Sequence, residues 1–582
     1  MQDTWSLKEL YQSFEDVQLK QDIDKIKEMC HQMEAFPLMD CREENLKKYL
    51  IQQNEFNDFV EKVYAFISLT MSADTNNQEA IQYNDILENI LASFAKTLAK
   101  IQKWIHRFDL DNIKDSYIQE HSFYLKEVQL YNQYLLDDES EAVLASMKTT
   151  GSSAWLQYKN QLISSLTVSI DNNEYPLTEV LNMAYSKEKE TRIKAYEAEL
   201  QAYPQIEKGV VSALNAIKGE ALTVAKLRGY QSVLERTLID SRMSQKTLDV
   251  LLNTIRKALP SFEEYFQAKA KYLGYTKGLP WYDLNAPIVD VNSEYPFEKG
   301  REFVIEQFTS FSQNLGDYAK RAIDHHWIDI YPRQGKVGGA FCHNLHSIQE
   351  SRFLLNYGNE FSDVITMAHE LGHGFHGHCL DDEYALNADY PMPIAETAST
   401  FCETIVKKAA MKEASPKVQL MLLENELSDC AQVIVDIYSR FLFESRFFER
   451  REKGPVSVEE TKKLMLEAQK DAYGQGLDHD FLHPYMWTWK PHYYESDYAF
   501  YNFPYAYGLL FAKGLYGMYQ KEGASFSQTY EKLLSVTGKM SLEEVGKTVG
   551  IDIQDEAFWQ NSLDMIKEDI QLFIKLLETQ EF

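Results

Sequence analysis

The sequence predicts a mostly α-helical protein of two or three packed lobes with one small β-sheet, and three observations support this fold class. Apolar residues recur at helical spacing over most of the 582 residues. Strand-like patterns are confined to two short stretches. Hydrophobic residues make up 45% of the chain, which is enough to form a large core divided among several lobes.

The N-terminal region and the middle of the chain are predicted to be helical. Over residues 6–110, apolar positions repeat every three or four residues, which favours antiparallel helices. Residues 166–177 are predicted to form a short hairpin, because the polar residues at 171–173 separate two apolar segments. A long helical stretch then follows from about residue 178 to residue 272.

A strand-like pattern replaces the helical one between about residues 328 and 358. Two adjacent glycines precede Phe341, and an apolar run at residues 353–357 follows. We expect a small β-sheet here, with an edge that can pair with an extended peptide. From residue 361 onward the pattern is again mostly helical.

The segment His369-Glu370-Leu371-Gly372-His373 has the residue types and spacing of a zinc hydrolase centre. Residues i and i+4 of a helix lie one turn apart on the same face, so His369 and His373 can bind one metal ion. Glu370 lies beside that ion, where it can act as a general base toward water. The segment therefore predicts a metal-dependent hydrolase.

The helix around this segment is predicted from its flanks. Residues 361–363 supply the expected N-cap, and the apolar residues that follow form a buried face. Gly372 and Gly374 each cost about 1 kcal/mol of helix propensity relative to alanine, a cost that is tolerable where a ligand or another backbone approaches closely. His376 and His378 continue the histidine-rich turn, and we interpret both as hydrogen-bonded residues rather than ligands.

A site with two histidine ligands needs a third protein ligand and leaves one position open. Glu396 is the candidate, because it lies on a predicted helix that follows Pro391 and Pro393. Glu403 is seven residues further on, so it shares the same face. One carboxylate can bind the metal while the other accepts a proton from a ligand imidazole. The alternative is a pair of solvated surface acids, but the flanking apolar residues indicate a buried helix.

A second candidate cluster, rich in aromatic residues, lies at residues 492–508. Water attack on a peptide carbonyl places negative charge on oxygen, and each preorganised donor aimed at it contributes about 2.7–4 kcal/mol. The imidazole of His492 and the phenols of Tyr498, Tyr501 and Tyr505 are suitable donors. The alternative is that these tyrosines simply pack a core, since the chain contains 36 of them.

Several segments together resemble oligoendopeptidase F, within the thimet-oligopeptidase family of zinc metallopeptidases. The resemblance runs from near the first residue to near the last, and its motifs are specific in combination. The similar segments are residues 5–11, 281–284, 333–341, 354–357, 369–373, 396–401, 549–552 and 556–559.

The resemblance implies roles for individual residues. His369, His373 and Glu396 would bind one zinc ion, and Glu370 would be the catalytic base. It further implies an aromatic cluster that supports the transition state.

In this chain that cluster includes His492, Tyr498 and Tyr505. The interval from His492 to Tyr498 is one residue longer than in thimet-type relatives. The choice among Tyr498, Tyr501 and Tyr505 as the oxyanion donor therefore stays open.

The resemblance also implies substrates and organisation. Short unfolded peptides would enter a deep channel between helical lobes and be cleaved at internal bonds. We assign residues 1–115 to an N-terminal helical region, 116–195 to a helical and hairpin domain, and 196–582 to the zinc peptidase catalytic domain.

Composition narrows the functional classes. The formal charge of −29 argues against nucleic-acid binding, which needs a basic surface. Six cysteines show no metal-binding spacing and are interpreted as reduced thiols of a cytoplasmic protein. We expect no signal peptide, because the first residues are polar and acidic, and no membrane span, because no apolar run approaches 18 residues.

Two other functions remain open at this stage. A metal-dependent carboxypeptidase, which is an exopeptidase, would need a charged pocket for the end of a chain. A non-catalytic helical scaffold could bind peptides or use the metal structurally, although such a site has no need of Glu370. Manganese or cobalt could occupy the same ligand set. The sequence does not indicate an oligomeric state.

Overall fold

The computed structural model describes residues 3–289 and 294–579, and within them the chain is mostly helical, as predicted. The helices, in chain order, are α1 (Val17–Glu34), α2 (Glu43–Ala73), α3 (Gln78–Ile105), α4 (Ser116–Glu120), α5 (Ser122–Asn132), α6 (Asp138–Thr150), α7 (Ser152–Ser165), α8 (Leu177–Asn182), α9 (Lys189–Ala202), α10 (Glu207–Arg228), α11 (Val233–Asp240), α12 (Gln245–Tyr272), α13 (Phe297–Phe311), α14 (Gln313–Asp324), α15 (Phe361–His378), α16 (Met392–Glu413), α17 (Pro416–Ala431), α18 (Ile437–Arg451), α19 (Val458–Tyr473), α20 (Met486–Trp489), α21 (Phe503–Glu522), α22 (Phe526–Leu534), α23 (Leu542–Lys547) and α24 (Glu556–Thr579). The strands are β1 (Thr167–Ile170), β2 (Asn173–Pro176), β3 (Ile328–Asp329), β4 (Phe341–Leu345) and β5 (Glu350–Leu354).

The described residues form two compact units, each assembled from segments that are far apart in the sequence. Unit 1 contains the described residues of 1–134, 293–409 and 518–551. Unit 2 contains those of 135–292, 410–517 and 552–582. The predicted limits at residues 115 and 195 concern a division along the chain and stay predictions.

Unit 1 contains the predicted N-terminal helices and the predicted sheet. Helices α1, α2 and α3 pack on one another around a large apolar core. The three-stranded sheet has the order β3-β5-β4, with β3 parallel and β4 antiparallel to β5. Within the described chain, β4 is therefore an edge strand, as the proposed pairing with a peptide requires.

Helix α15, which carries the His369–His373 motif, packs on β4 and β5. Its N-cap differs from the prediction, because the cap residue is Glu360. Asp363 lies at the third helical position and accepts a hydrogen bond from the backbone N–H of Glu360 at 2.8 Å. The two side chains thus form a reciprocal capping box, and the acid predicted as part of the cap is its second member.

Unit 2 contains the predicted hairpin. Strands β1 and β2 pair antiparallel, and the turn residues Asp171 and Asn172 adopt positive φ values of 51° and 65°. Such values suit a tight hairpin turn and are tolerated by Asp and Asn. Helices α17 and α18 are joined without a break by a π-helical turn, Gln432–Asp436. No described helix is both long and apolar enough to cross a membrane.

Candidate metal centre

The candidate metal centre lies in unit 1, where α15 and α16 approach closely at Gly372. A Cβ at this position would lie 2.7 Å from the carbonyl oxygen of Ala398 and 2.7 Å from the Cα of Ser399. Only glycine permits this approach, because real side chains do not come so near a backbone. On the other side of α15, a Cβ at Gly374 would lie 2.5 Å from the Phe353 ring of β5. The glycines predicted to mark a close approach therefore face a neighbouring helix and strand.

This packing brings the three predicted ligands together. Nε2 of His369 and Nε2 of His373 are 3.1 Å apart. Oε2 of Glu396 lies 3.4 Å from the first of these nitrogens and 3.5 Å from the second. Atoms that share a tetrahedral zinc ion at about 2.0–2.1 Å lie roughly 3.3 Å from one another. The three donor atoms therefore have the separation that a single ion of this kind requires.

Hydrogen bonds orient both imidazoles. Nδ1 of His369 donates to Oε1 of Glu403 at 2.6 Å, so Nε2 is the ring nitrogen available to a metal ion. The ring of His373 hydrogen-bonds with the backbone of Ala395. Oγ of Ser399 donates to Oε2 of Glu396 at 3.0 Å. Both rings thus present Nε2 toward the carboxylate of Glu396.

Glu403 has the role expected of it, and the structure adds a cation that the sequence analysis did not identify. Nζ of Lys407 lies 2.9 Å from Oε2 of Glu403. Burial raises the pKa of Glu403, but Lys407 and His369 outweigh this effect and lower the pKa to about 2. The lysine is four residues from the acid, a helical spacing at which such pairs can be sought in a sequence.

The electrostatic field around His369 favours positive charge. Burial lowers the pKa of this imidazole, but the hydrogen bond and charge of Glu403, with Glu370 and Glu396, raise it to about 9. Burial and the neighbouring His369 lower the pKa of His373 to about 4. The negative field of three carboxylates suits a bound cation, and the donor set of two imidazoles and one carboxylate fits zinc.

Glu370 is buried beside the two imidazoles. It is 6% exposed, and its nearest carboxylate oxygen and the histidine nitrogens all lie within 4.8 Å of one another. Burial raises its pKa to about 7, against the opposing effect of His369. A carboxylate with this proton affinity can take up and release a proton near neutral pH.

The other two histidines of α15 have structural partners. His376 is fully buried, stacks on Tyr390 with ring centroids 3.9 Å apart, and hydrogen-bonds Oγ1 of Thr537 at 2.8 Å. His378 hydrogen-bonds Oδ2 of Asp381 at 2.6 Å. Both have the hydrogen-bonded role that the sequence analysis preferred for them.

The sheet contributes a contact that the sequence analysis did not foresee. Asn344 of β4 donates through Nδ2 to the carbonyl oxygen of His373 at 3.2 Å. Its Oδ1 accepts from Oγ of Ser351 on β5 at 2.8 Å. This amide therefore links the edge strand β4 to α15.

The predicted aromatic donors form one cluster in unit 2. Tyr501 is its centre, stacked on His492 at 5.5 Å and in edge contact with Tyr498 at 4.9 Å and Tyr505 at 5.8 Å. Helix α21 begins at Phe503, so only Tyr505 of the three tyrosines is helical. Burial, with the charges of Arg440 and Lys490, lowers the pKa of His492 to about 4, which makes it a neutral imidazole near pH 7.

Two packed helices that present this donor set beside a buried glutamate have the form of a metallohydrolase centre. A family model described as Peptidase family M3 matches residues 182–565, and one described as Oligopeptidase F matches residues 109–167. The chain belongs to peptidase family M3. This confirms the resemblance drawn from the sequence and makes the protein a metallo-oligopeptidase, a hydrolase of peptide bonds.

Curated relatives cover nearly the whole chain at low identity. Oligopeptidase PepF of Bacillus subtilis is 22% identical over 99% of this chain and 87% of its own length. An oligoendopeptidase F homolog of Lactococcus lactis is 24% identical over 99% of this chain and 97% of its own length.

Solved structures share the fold. A putative peptidase from Chlamydophila abortus superposes with a TM-score of 0.86 at 21% identity, covering 99% of this chain and 98% of that one. The oligoendopeptidase-F of Enterococcus faecium gives a TM-score of 0.69 at 19% identity, covering 97% of this chain and 99% of that one. The predicted helical fold class with a small sheet is therefore confirmed.

Proposed function

We propose that the protein is a zinc-dependent endopeptidase that cleaves internal bonds of short, unstructured oligopeptides in the cytoplasm. The observation that carries the proposal is the spacing of the three donor atoms of His369, His373 and Glu396, at 3.1–3.5 Å, beside the buried Glu370. Structural zinc sites usually have four protein ligands, whereas catalytic sites have three and an acid or base nearby. The arrangement therefore supports catalysis over a structural role.

His369, His373 and Glu396 would hold the ion, which when bound polarises a peptide carbonyl and acidifies water. Glu370 would accept the proton of the attacking water and later donate it to the leaving amine. Glu403 would keep the His369 ring in the orientation that its hydrogen bond defines. Each of these roles belongs to a side chain whose position follows from α15 and α16.

The aromatic cluster would supply donors to the oxyanion. Removing one such donor typically lowers kcat by about 100- to 1,000-fold. We expect this loss, with little change in KM, for the phenylalanine variant at one or more of Tyr498, Tyr501 and Tyr505. Tyr493→Phe is the matched control, because this buried hydroxyl has no hydrogen-bond partner. If the three variants all keep their kcat, the donor role fails.

The substrate class rests on the relatives and on the sheet. The names of the relatives describe oligopeptidases and oligoendopeptidases. The free edge of β4 could pair with the backbone of an extended peptide, which demands little of the side chains. A deep channel between helical lobes, as the family resemblance implies, would admit only unfolded chains. None of the six cysteines forms a disulfide, which is compatible with the reducing cytoplasm.

The test uses an internally quenched peptide blocked at both ends. The wild-type protein should cleave it, whereas Glu370→Gln should lower kcat by about 100- to 10,000-fold. Elemental analysis should find one zinc per chain in both proteins. Glu302→Gln, which alters an exposed acid of α13, is the control and should be fully active.

Each alternative has its own outcome in this experiment. An exopeptidase would leave the peptide blocked at both ends intact and would cleave the same peptide with free termini. A peptide-binding scaffold would cleave neither peptide. Unchanged turnover in a zinc-loaded Glu370→Gln protein would contradict the assignment of the base.

A further inference from the structure

A cavity of about 570 Å³ lies within unit 2, and the mechanism proposed above does not use it. Its lining includes aromatic side chains, called here the aromatic wall, and buried charged groups. The aromatic wall consists of Tyr196, Tyr265, Phe266, Trp281 and Tyr282. A space of this size and composition suits a small molecule or a side chain with an apolar body.

The buried carboxylates of this cavity already have hydrogen-bond donors within the protein. Oε1 of Glu199 accepts from the hydroxyl of Tyr203 at 2.5 Å and contacts Nε2 of His483 at 3.0 Å. Nδ1 of His483 accepts from the backbone N–H of Tyr485 at 3.3 Å, so Nε2 is the protonated nitrogen that donates to Glu199. Glu199 therefore has two donors of its own.

The second buried carboxylate is also engaged. Asp436 forms an ion pair with the guanidinium of Arg440, one helical turn away. It also accepts from the hydroxyl of Tyr473 at 3.3 Å. Both oxygens of Asp436 and Oε1 of Glu199 thus have donors within the protein.

The donors of the cavity, by contrast, are in surplus. Nε of Arg440 and Nε1 of Trp489 are both buried without a hydrogen-bond partner, and Arg440 is only 8% exposed. Nζ of Lys490 lies over the Trp489 ring, 4.2 Å from its centroid, and no described carboxylate is within ion-pair distance of it. Buried donors without acceptors are costly, so the arrangement is incomplete without an acceptor.

The backbone is irregular at the same place. Gln432 and Asp436 line the cavity and belong to the π-helical turn between α17 and α18. Such turns cost helix stability and are frequent at functional sites, because they redirect side chains. Here the turn lies one helical turn before Arg440.

We infer that this cavity binds a carboxylate attached to a hydrophobic group, held by Arg440, Trp489 and Lys490 and packed against the aromatic wall. A carboxylate supplies acceptors only, which matches donors that have none. An arginine, a lysine and an indole N–H together bind such a group by charge-assisted hydrogen bonds. The aromatic wall selects acids that carry an apolar or aromatic body.

The protonation of the lysine fits an anionic ligand. Burial, with the neighbouring Arg440, lowers the pKa of Lys490 to about 8. The ammonium form is thus penalised in the empty protein, and a carboxylate beside it removes that penalty. A neutral ligand would not remove the penalty on the ammonium form.

The carboxylate can come from two sources. One is the C-terminal residue of a peptide substrate, and this source rests on the proposed peptidase function. The other is a free hydrophobic acid, such as an amino acid released by hydrolysis. Both present the same group to the cavity.

Calorimetry with N-acetyl-L-phenylalanine and its amide tests the inference without any turnover. The acid should bind the full-length protein, and the amide should bind at least tenfold more weakly. The titration is repeated after chelation, so that binding of the acid at the metal does not contribute. Because no cleavage is measured, a protein without peptidase activity can still bind the acid.

Matched variants locate the binding. Trp489→Phe and Lys490→Met should each weaken binding of the acid about tenfold, as loss of a charge-assisted hydrogen bond predicts. Trp487→Phe is the control, because its Nε1 already donates to the Pro484 carbonyl at 2.9 Å. It should affect stability and leave the affinity unchanged.

Kinetics with free-acid and amidated forms of one peptide separate the two sources. A KM about tenfold lower for the free acid, with the difference lost in Trp489→Phe, identifies the substrate C-terminus. Equal KM values alongside binding of the small acid identify a free ligand. Equal binding of acid and amide, or full affinity in Trp489→Phe and Lys490→Met, overturns the inference.

Discussion

Nδ1 of His369 lies 2.6 Å from Oε1 of Glu403, and Nζ of Lys407 lies 2.9 Å from the other oxygen of the same carboxylate. The imidazole that would bind the metal is therefore held by an acid that is itself held by a cation. Glu403→Ala removes both contacts and should lower zinc affinity about 10- to 100-fold.

Glu403→Gln separates orientation from charge. The amide oxygen still accepts from Nδ1 of His369, so this variant should lose less zinc affinity than Glu403→Ala. Competition with a chromogenic chelator measures the zinc affinity of both variants. Unaltered zinc affinity in Glu403→Ala would mean that the hydrogen bond does not support the ligand.

Gly372→Ala should disturb the metal centre through the backbone. The new methyl group would lie 2.7 Å from atoms of Ala398 and Ser399, so α15 and α16 must separate. Overpacking of this kind costs about 1–3 kcal/mol of unfolding free energy, and we expect loss of zinc as well. Gly338→Ala is the control, since nothing lies within 4 Å of its Cβ position. Normal zinc content in Gly372→Ala would refute the close approach.

His376 should make stability fall in mild acid. Burial lowers its pKa to about 3 in the folded protein, from an ordinary value of 6.5. The unfolded chain therefore binds the proton first, and the stabilisation is complete above pH 6.5 and decreases as the pH falls toward 3. The slope is about 1.4 kcal/mol per pH unit.

His376→Phe keeps the stacking on Tyr390 and should abolish this contribution. Denaturant unfolding of both metal-free proteins between pH 7.5 and 4.5 measures the difference. His31→Gln, at an exposed histidine, is the control and should follow the wild-type curve. If the unfolding free energies of His376→Phe and the wild type change with pH in the same way, the pH dependence does not come from His376.

Breaking the buried ion pair between Lys218 and Glu444 by removing one partner should destabilise unit 2. Both side chains are 1% exposed, with Nζ and Oε1 at 2.6 Å. Glu444 also accepts from the backbone N–H of Phe500 at 3.1 Å and from Nδ2 of Asn502 at 3.2 Å, so it orders the segment that carries Tyr498 and Tyr501.

Glu444→Ala should cost about 3–5 kcal/mol, because the lysine is left charged and buried. The double variant Lys218→Met/Glu444→Leu should recover most of that stability and yet lower kcat, since the segment loses its backbone acceptor. Thermal unfolding and peptide kinetics measure the two effects. A Glu444→Ala protein as stable as the wild type would contradict the prediction.

The sequence was most informative where the chemistry is local. His369, Glu370 and His373 lie on one helix, and Glu396 and Glu403 lie on the next, so helical spacing alone placed each set on a common face. The N-cap was wrong by a few residues, because Asp363 is a strong capping residue and Glu360 is not.

Contacts between distant segments could not be predicted. The amide of Asn344 meets His373 only because the sheet has a particular register on α15. The donors at 440, 489 and 490 face a cavity whose walls come from residues 178–285 and 428–490. Sequence spacing says nothing about such convergence, which depends on how helices pack.

The glycines of α15 bear on whether the protein folds before or after it binds the metal. Each lowers the intrinsic propensity of the helix by about 1 kcal/mol; Gly372 lies between the two imidazoles, and Gly374 directly follows the second. An isolated α15 would therefore be a poor helix, and the pair of rings would converge only after α16 and the strands had docked. Zinc uptake should accordingly follow, rather than nucleate, the folding of unit 1.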